Sequence, residues 1–215
     1  MADRKTDHTL ERLVFFSDAV FAIAITLLVI DIHAPDLPRT ASDADHWAAL
    51  AHLGSSFAGY IISFALVGAF WMSHHRYFAL TAHYRPRILP WNMGLLATIA
   101  FMPFTTAYLS ANMDQRVPAL VYCGALFAAA SFNMVVSLIA TAPPMVDEAA
   151  SSEDIRNVRV RGLTLVLGSA TAFLLALLFR DVGQYGLLSL PFFRILLARI
   201  ARARRGREAP ATQGY

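Results

Sequence analysis

The chain has 215 residues, 57% of them hydrophobic and only 15% charged, with a mean hydropathy of +0.50. A soluble domain is nearer half apolar and a quarter charged, so the composition points to an integral membrane protein. A net charge of +3 carries no nucleic-acid footprint, and a single cysteine, Cys123, excludes an intramolecular disulfide and a cysteine-based zinc site.

A membrane-spanning helix needs about 20 apolar residues. On that measure the chain predicts an all-α protein with six spans, roughly 13–32, 47–73, 88–109, 117–139, 163–179 and 185–200. The polar first residues run straight into the first span without a small-residue cleavage site, so that span is expected to stay in place. The second and fifth spans carry small-residue stripes, Ser55, Gly59, Ser63 and Gly168, Ala172, Ala176, which let helices approach closely. Pro103 is expected to kink the third span, with Thr105 and Thr106 beside it. The fourth carries a lone amide, Asn133, read as interhelical glue. The longest connection, 141–161, has room for a small solvated helix. The sixth segment is short and holds Pro191 and Arg194, so a helix lying in the interface is its alternative. Residues 1–200 form the transmembrane domain and 201–215 a basic tail suited to an anionic inner leaflet.

Orientation follows from the basic residues. With both termini cytoplasmic, all of the 18 Lys and Arg except Arg39, Arg116 and Arg180 fall inside. That arrangement requires an even number of spans.

No Walker A loop, dinucleotide-binding glycine motif, zincin motif or nucleophile elbow is present. Adjacent His74 and His75 point about 100° apart on a helix and cannot share a metal as i, i+4 pairs do. The reading is therefore a protein that is not an enzyme and takes no cofactor, metal, nucleic acid or small-molecule substrate. The T-V-G-Y-G filter of ordinary potassium channels is missing too.

The stretch 12–31, RLVFFSDAVFAIAITLLVID, holds what a plain anchor does not need. Asp18 sits about 6 Å from the middle of the first span, where a bare carboxylate costs about 2.5–3.5 kcal/mol. It needs a partner or water. Arg12 lies about 120° around the same helix and is poorly placed to be that partner. The end of the second span, FWMSHHRYF, reaches the same depth and offers Trp71, Ser73, His74 and His75. A polar cluster of Arg12, Ser17, Asp18, Trp71 and one histidine is expected, either as a packing clamp or with a part in transport. Beyond it Ile23, Leu27 and Ile30 share one helical face. The helix is apolar all round there, so periodicity leaves pore, lipid and bundle core open. Thr26 could offer a hydroxyl to an ion or bond its own backbone, and Asp31 ends the helix.

The run Arg12-x-x-x-Phe16-Ser17-Asp18, with the W-x-x-H-H-R-x-F-like end of the second span and PF-x-T in the third, resembles the transmembrane protein 175 family. The resemblance implies a potassium-permeable channel: a homotetramer of six-helix subunits in a prokaryotic cell membrane, surrounded by lipid, with the first helices around a central pore. It implies a hydrophobic constriction at Ile23, with Leu27 and Ile30 further out, and potassium ions as the permeating species. It also implies a stabilising network of Arg12, Phe16, Ser17, Asp18, Trp71 and either His74 or His75. Modest preference for potassium over sodium is the expectation. A proton-coupled secondary transporter using Asp18 and a histidine is the alternative, disfavoured by the lack of inverted repeats or matched broken helices.

Overall fold

Six α-helices make up most of the computed structural model, which describes residues 2–179, with side chains from residue 8. They are α1 (Ala2–Ile30), α2 (Asp43–His52), α3 (Gly54–Phe78), α4 (Leu89–Ala111), α5 (Arg116–Ala140) and α6 (Ser152–Leu178). All except α2 are long and apolar enough to cross a membrane. Even α4, with 23 residues, is about 35 Å long, more than the hydrocarbon thickness. The predicted sixth segment, 185–200, and the basic tail, 201–215, lie outside the described residues.

Three helix starts differ from the hydropathy reading, the first being that of α1, which is helical from Ala2, eleven residues before residue 13. The second span begins at Gly54, not at residue 47. Trp47 belongs to the separate helix α2, because Ser42 and Asp45 form a reciprocal capping box that starts a helix of its own. The fifth span begins eleven residues before residue 163. Ser151 caps the helix by accepting from the Asp154 N–H at 3.0 Å, with Glu153 and Asp154 in the first turn. The solvated helix expected in the long connection is thus the first part of α6.

α3 packs on α1, α4, α5 and α6, while α5 lies between α4 and α6. The α5 face in the core is rich in small residues, with Ala119, Ala125, Ala129 and Ala130 buried. The two predicted stripes lie at close approaches. Gly59 backs onto the Ser110 side chain, and Gly168, Ala172 and Ala176 are buried on α6. Gly94 of α4 faces the Phe132 ring of α5 so closely that a Cβ there would stand 2.6 Å from the ring.

α4 continues helically through Pro103. Thr105 and Thr106 both hydrogen-bond the Met102 carbonyl, at 3.0 and 2.8 Å, rather than the Ile99 carbonyl that the proline leaves without its donor. At the end of the bundle where α1 begins, the connections are tied together. The Ala82 N–H donates to the Met145 carbonyl and the Asp147 N–H to the Leu80 carbonyl, both at 2.9 Å. Arg159 of α6 caps the end of α5 by donating to the Thr141 carbonyl at 2.7 Å and its hydroxyl at 3.0 Å.

Candidate functional site

α1 has two faces. Leu13, Ser17, Phe21, Ala24 and Leu28, spaced four, four, three and four apart, are buried against α3 and α4. The rest of α1 is exposed over a broad arc, which holds Arg12, Phe16, Ala19, Ile23, Leu27 and Ile30 along one edge and Phe15, Ala22, Thr26 and Val29 beside them. Ile23 is 58% exposed and Ile30 65%, whereas Phe21, two residues from Ile23, is 1% exposed. Thr26 donates its hydroxyl to the Ile23 carbonyl at 2.9 Å. Asp31 stands in the exposed turn after the helix.

Polar groups join α1 to its neighbours along the first half of its span. The Trp71 indole N–H donates to Asp18 Oδ1 at 2.9 Å. One step deeper, Ser17 donates to the Leu13 carbonyl at 2.8 Å and accepts from Asn92 Nδ2 at 2.9 Å. Asn92 Oδ1 is bonded to His74 Nε2 at 3.1 Å. With Asn92 giving its N–H to Ser17, its oxygen is the acceptor, so His74 carries its proton on Nε2. The remaining lone pair on Nδ1 is buried without a partner. Ring contacts of 5.4 Å from Phe21 and 4.6 Å from Phe78 close in on the imidazole.

The two histidines therefore do different things. His74 is fully buried and sits in the hydrogen-bonded chain. His75 is exposed and stacks on the Trp71 ring at 5.7 Å. Arg12 is exposed and, among the described residues, makes no hydrogen bond or ion pair with Asp18. It lines a groove between the starts of α1 and α4, with Phe15, Phe16, Tyr84 and Leu89. Asn92 is a member the sequence reading missed. The signal available was an amide early in an apolar helix, at the depth of Ser17 and His74.

α3 is the hub of this polar core. It reaches α1 through Trp71, α4 through His74 and α5 through Ser73, which accepts from Asn133 Nδ2 at 3.1 Å. Toward the other end Ser63 meets Tyr122 Oη at 3.0 Å and Thr106 Oγ1 at 2.8 Å. These bonds link α3 to α1, α4 and α5, and α4 to α1.

The chain is similar to known proteins in sequence and in fold. The family profile of the endosomal/lysosomal potassium channel TMEM175 matches residues 12–103. A potassium channel of Chamaesiphon minutus is 36% identical over 148 residues, which cover 67% of this chain and 72% of that one. The human endosomal/lysosomal proton channel TMEM175 is 32% identical over 140 residues, 59% of this chain but 27% of the longer human protein. The crystal structure of a lysosomal potassium-selective channel TMEM175 homolog from Chamaesiphon minutus superposes with a TM-score of 0.73 at 27% identity, covering 88% of this chain and 98% of that one. The matched region holds α1 from Arg12 onward, the Trp71–Asp18 bond and the Ser17–Asn92–His74 chain, and the helical architecture agrees beyond it: the chain belongs to the TMEM175 channel family.

Proposed function

We propose that the chain forms a potassium-permeable cation channel of leak type, from four copies whose α1 helices surround a central pore, with both termini cytoplasmic in a prokaryotic cell membrane. The observation that carries this reading is the exposed apolar stripe of α1, held outward by a polar core on its opposite side. Ile23, Leu27 and Ile30 form the constriction, and Thr26 lies between them. Ser17, Asp18, Trp71 and His74 hold α1 in place, together with Asn92. Arg12 and Phe16 stand on the exposed stripe where a neighbouring copy would meet them, and His75 supports Trp71 by stacking. The names of the bacterial relatives support potassium as the ion.

An apolar ring removes water from an ion and offers nothing in return. Potassium is less strongly hydrated than sodium and loses less, so a modest preference for potassium follows. The same ring stops conduction when it dewets.

Recording from purified protein in planar bilayers tests the reading. Unitary currents carrying many ions per opening, larger in potassium than in sodium, are the expected result. Because the animal relatives are named proton channels, the same bilayers should be recorded under a pH gradient. Saturating, proton-dependent flux without unitary steps would overturn the channel in favour of a transporter working through Asp18 and a histidine. Cross-linking to a species other than four copies would overturn the tetramer.

A further inference from the structure

α3 and α5 run side by side in the same direction. Ser63 meets Tyr122, Ser73 meets Asn133, and the Thr81 hydroxyl meets the Ala140 carbonyl, at separations of 59, 60 and 59 residues. Tyr77 and Ser137 stand at the same interval, one turn beyond Ser73 and Asn133. Both are 0% exposed, and Tyr77 packs in one cluster with Val136 and Ala140, which lie close to Ser137 in sequence. Neither Tyr77 Oη nor Ser137 Oγ has a hydrogen-bond partner, and Asn133 Oδ1 has none either. The polar levels on either side of it, Ser73–Asn133 and Thr81–Ala140, are hydrogen-bonded.

Buried polar atoms in native structures are paired with protein or with internal water. These three atoms are sealed inside a single protomer, so neither lipid nor a neighbouring copy can reach them. Ser137 could turn to its own preceding turn, as the Thr141 and Ser169 hydroxyls do, but that would leave Tyr77 Oη and Asn133 Oδ1 unpaired. Two hydroxyls and an amide oxygen suit a water molecule, which gives two hydrogen bonds and accepts others. A dehydrated cation there would bring charge into an apolar core with no carboxylate in the set. We propose that the α3–α5 seam holds a structural water site formed by Tyr77 Oη, Asn133 Oδ1 and Ser137 Oγ. The water continues the tie between α5 and the hub helix, one turn beyond the Ser73–Asn133 bond.

X-ray radiolytic footprinting of the wild-type protein in lipid nanodiscs tests the site, because radicals born from bound water oxidise the side chain beside it. Tyr122 is the comparison, being equally buried with its hydroxyl bonded to Ser63. Oxidation of Tyr77 several-fold faster than of Tyr122 is expected. Oxidation as slow as that of Tyr122 would overturn the site. Tyr77→Phe gives an independent reading through the sign of its effect. A hydroxyl bonded to water is missed when removed and the unfolding temperature falls, whereas an unpaired hydroxyl is better absent and the temperature rises. A rise would overturn the role of Tyr77.

Discussion

Trp71 donates its indole N–H to Asp18 at 2.9 Å, across 53 residues of chain. The costliest group in the first span is thus held by a neutral donor on α3, and among the described residues not by a cation. The bond crosses the α1–α3 interface. Trp71→Phe keeps most of the ring and removes the donor. Stability should fall by about 1.5–3 kcal/mol, the range for hydrogen bonds to charged groups. Asp18→Asn retains an acceptor oxygen and should cost less. Size-exclusion chromatography of heated detergent samples measures both. A Trp71→Phe protein as stable as wild type would mean that water serves Asp18 equally well.

Asn92 joins two helices at once, through Ser17 on α1 and His74 on α3. Asn92→Leu leaves the His74 N–H buried without an acceptor, a loss of about 1–3 kcal/mol plus the bonds themselves. His74→Phe alone strands the Asn92 oxygen. The double substitution removes both polar partners and should be less damaging than the sum of the two singles, because no buried group is left unpaired. A thermal-stability cycle on the four proteins measures this coupling. Simple additivity would show that the two side chains do not depend on each other.

The small residues on the helix faces separate tight positions from open ones. A Cβ at Gly94 would stand 2.6 Å from the Phe132 ring, while a Cβ at Gly68 would meet nothing within 4 Å inside the protomer. Gly94→Ala should therefore destabilise the protein by about 1–3 kcal/mol through overpacking between α4 and α5. Phe132→Leu should relieve that strain when combined with it. Gly68→Ala should leave the isolated protomer's packing intact. If Gly68→Ala disrupts assembly without unfolding the protein, that face of α3 meets a neighbouring copy.

Much of this architecture is legible because the greasy lengths of the spans can be read directly. Hydropathy does not mark where a helix starts, and there the reading slipped. The apolar run around Trp47 looked like part of the second span, although Ser42 and Asp45 had already spelled out a separate start. The charges around Arg156, Arg159 and Arg161 hid the fact that α6 begins at Ser152. At the site, the need of Asp18 for a partner was legible from the cost of burying a carboxylate, and Trp71 was among the groups at its depth. Asn92 was not, because a single amide in an apolar run has the same appearance whether it holds one helix or two. The choice between His74 and His75 was equally closed to spacing. Adjacent residues share a depth, and only packing decides which of them faces the core.

Ile23 and Phe21 give the last prediction its logic. They are two residues apart on one helix, yet Phe21 is 1% exposed and Ile23 58%. Asparagine at Phe21 would put an unpaired amide into the core and unfold the protein. At Ile23 it changes a surface that one protomer leaves uncovered, so folding should survive and any effect should fall on conduction. If Ile23 forms the constriction, four asparagine side chains would replace an apolar ring with a hydrated one. The ion would keep partners as it passes, and dewetting would be suppressed. Ile23→Asn should then raise unitary conductance and shift the reversal potential under potassium-against-sodium gradients toward zero. Leu27→Asn and Ile30→Asn should act in the same direction but less strongly, as they lie further from the proposed narrow point. Unchanged conductance and selectivity in Ile23→Asn, with either of the other two altered, would move the constriction along the stripe. No change in any of the three would mean that this face of α1 meets something other than permeating ions.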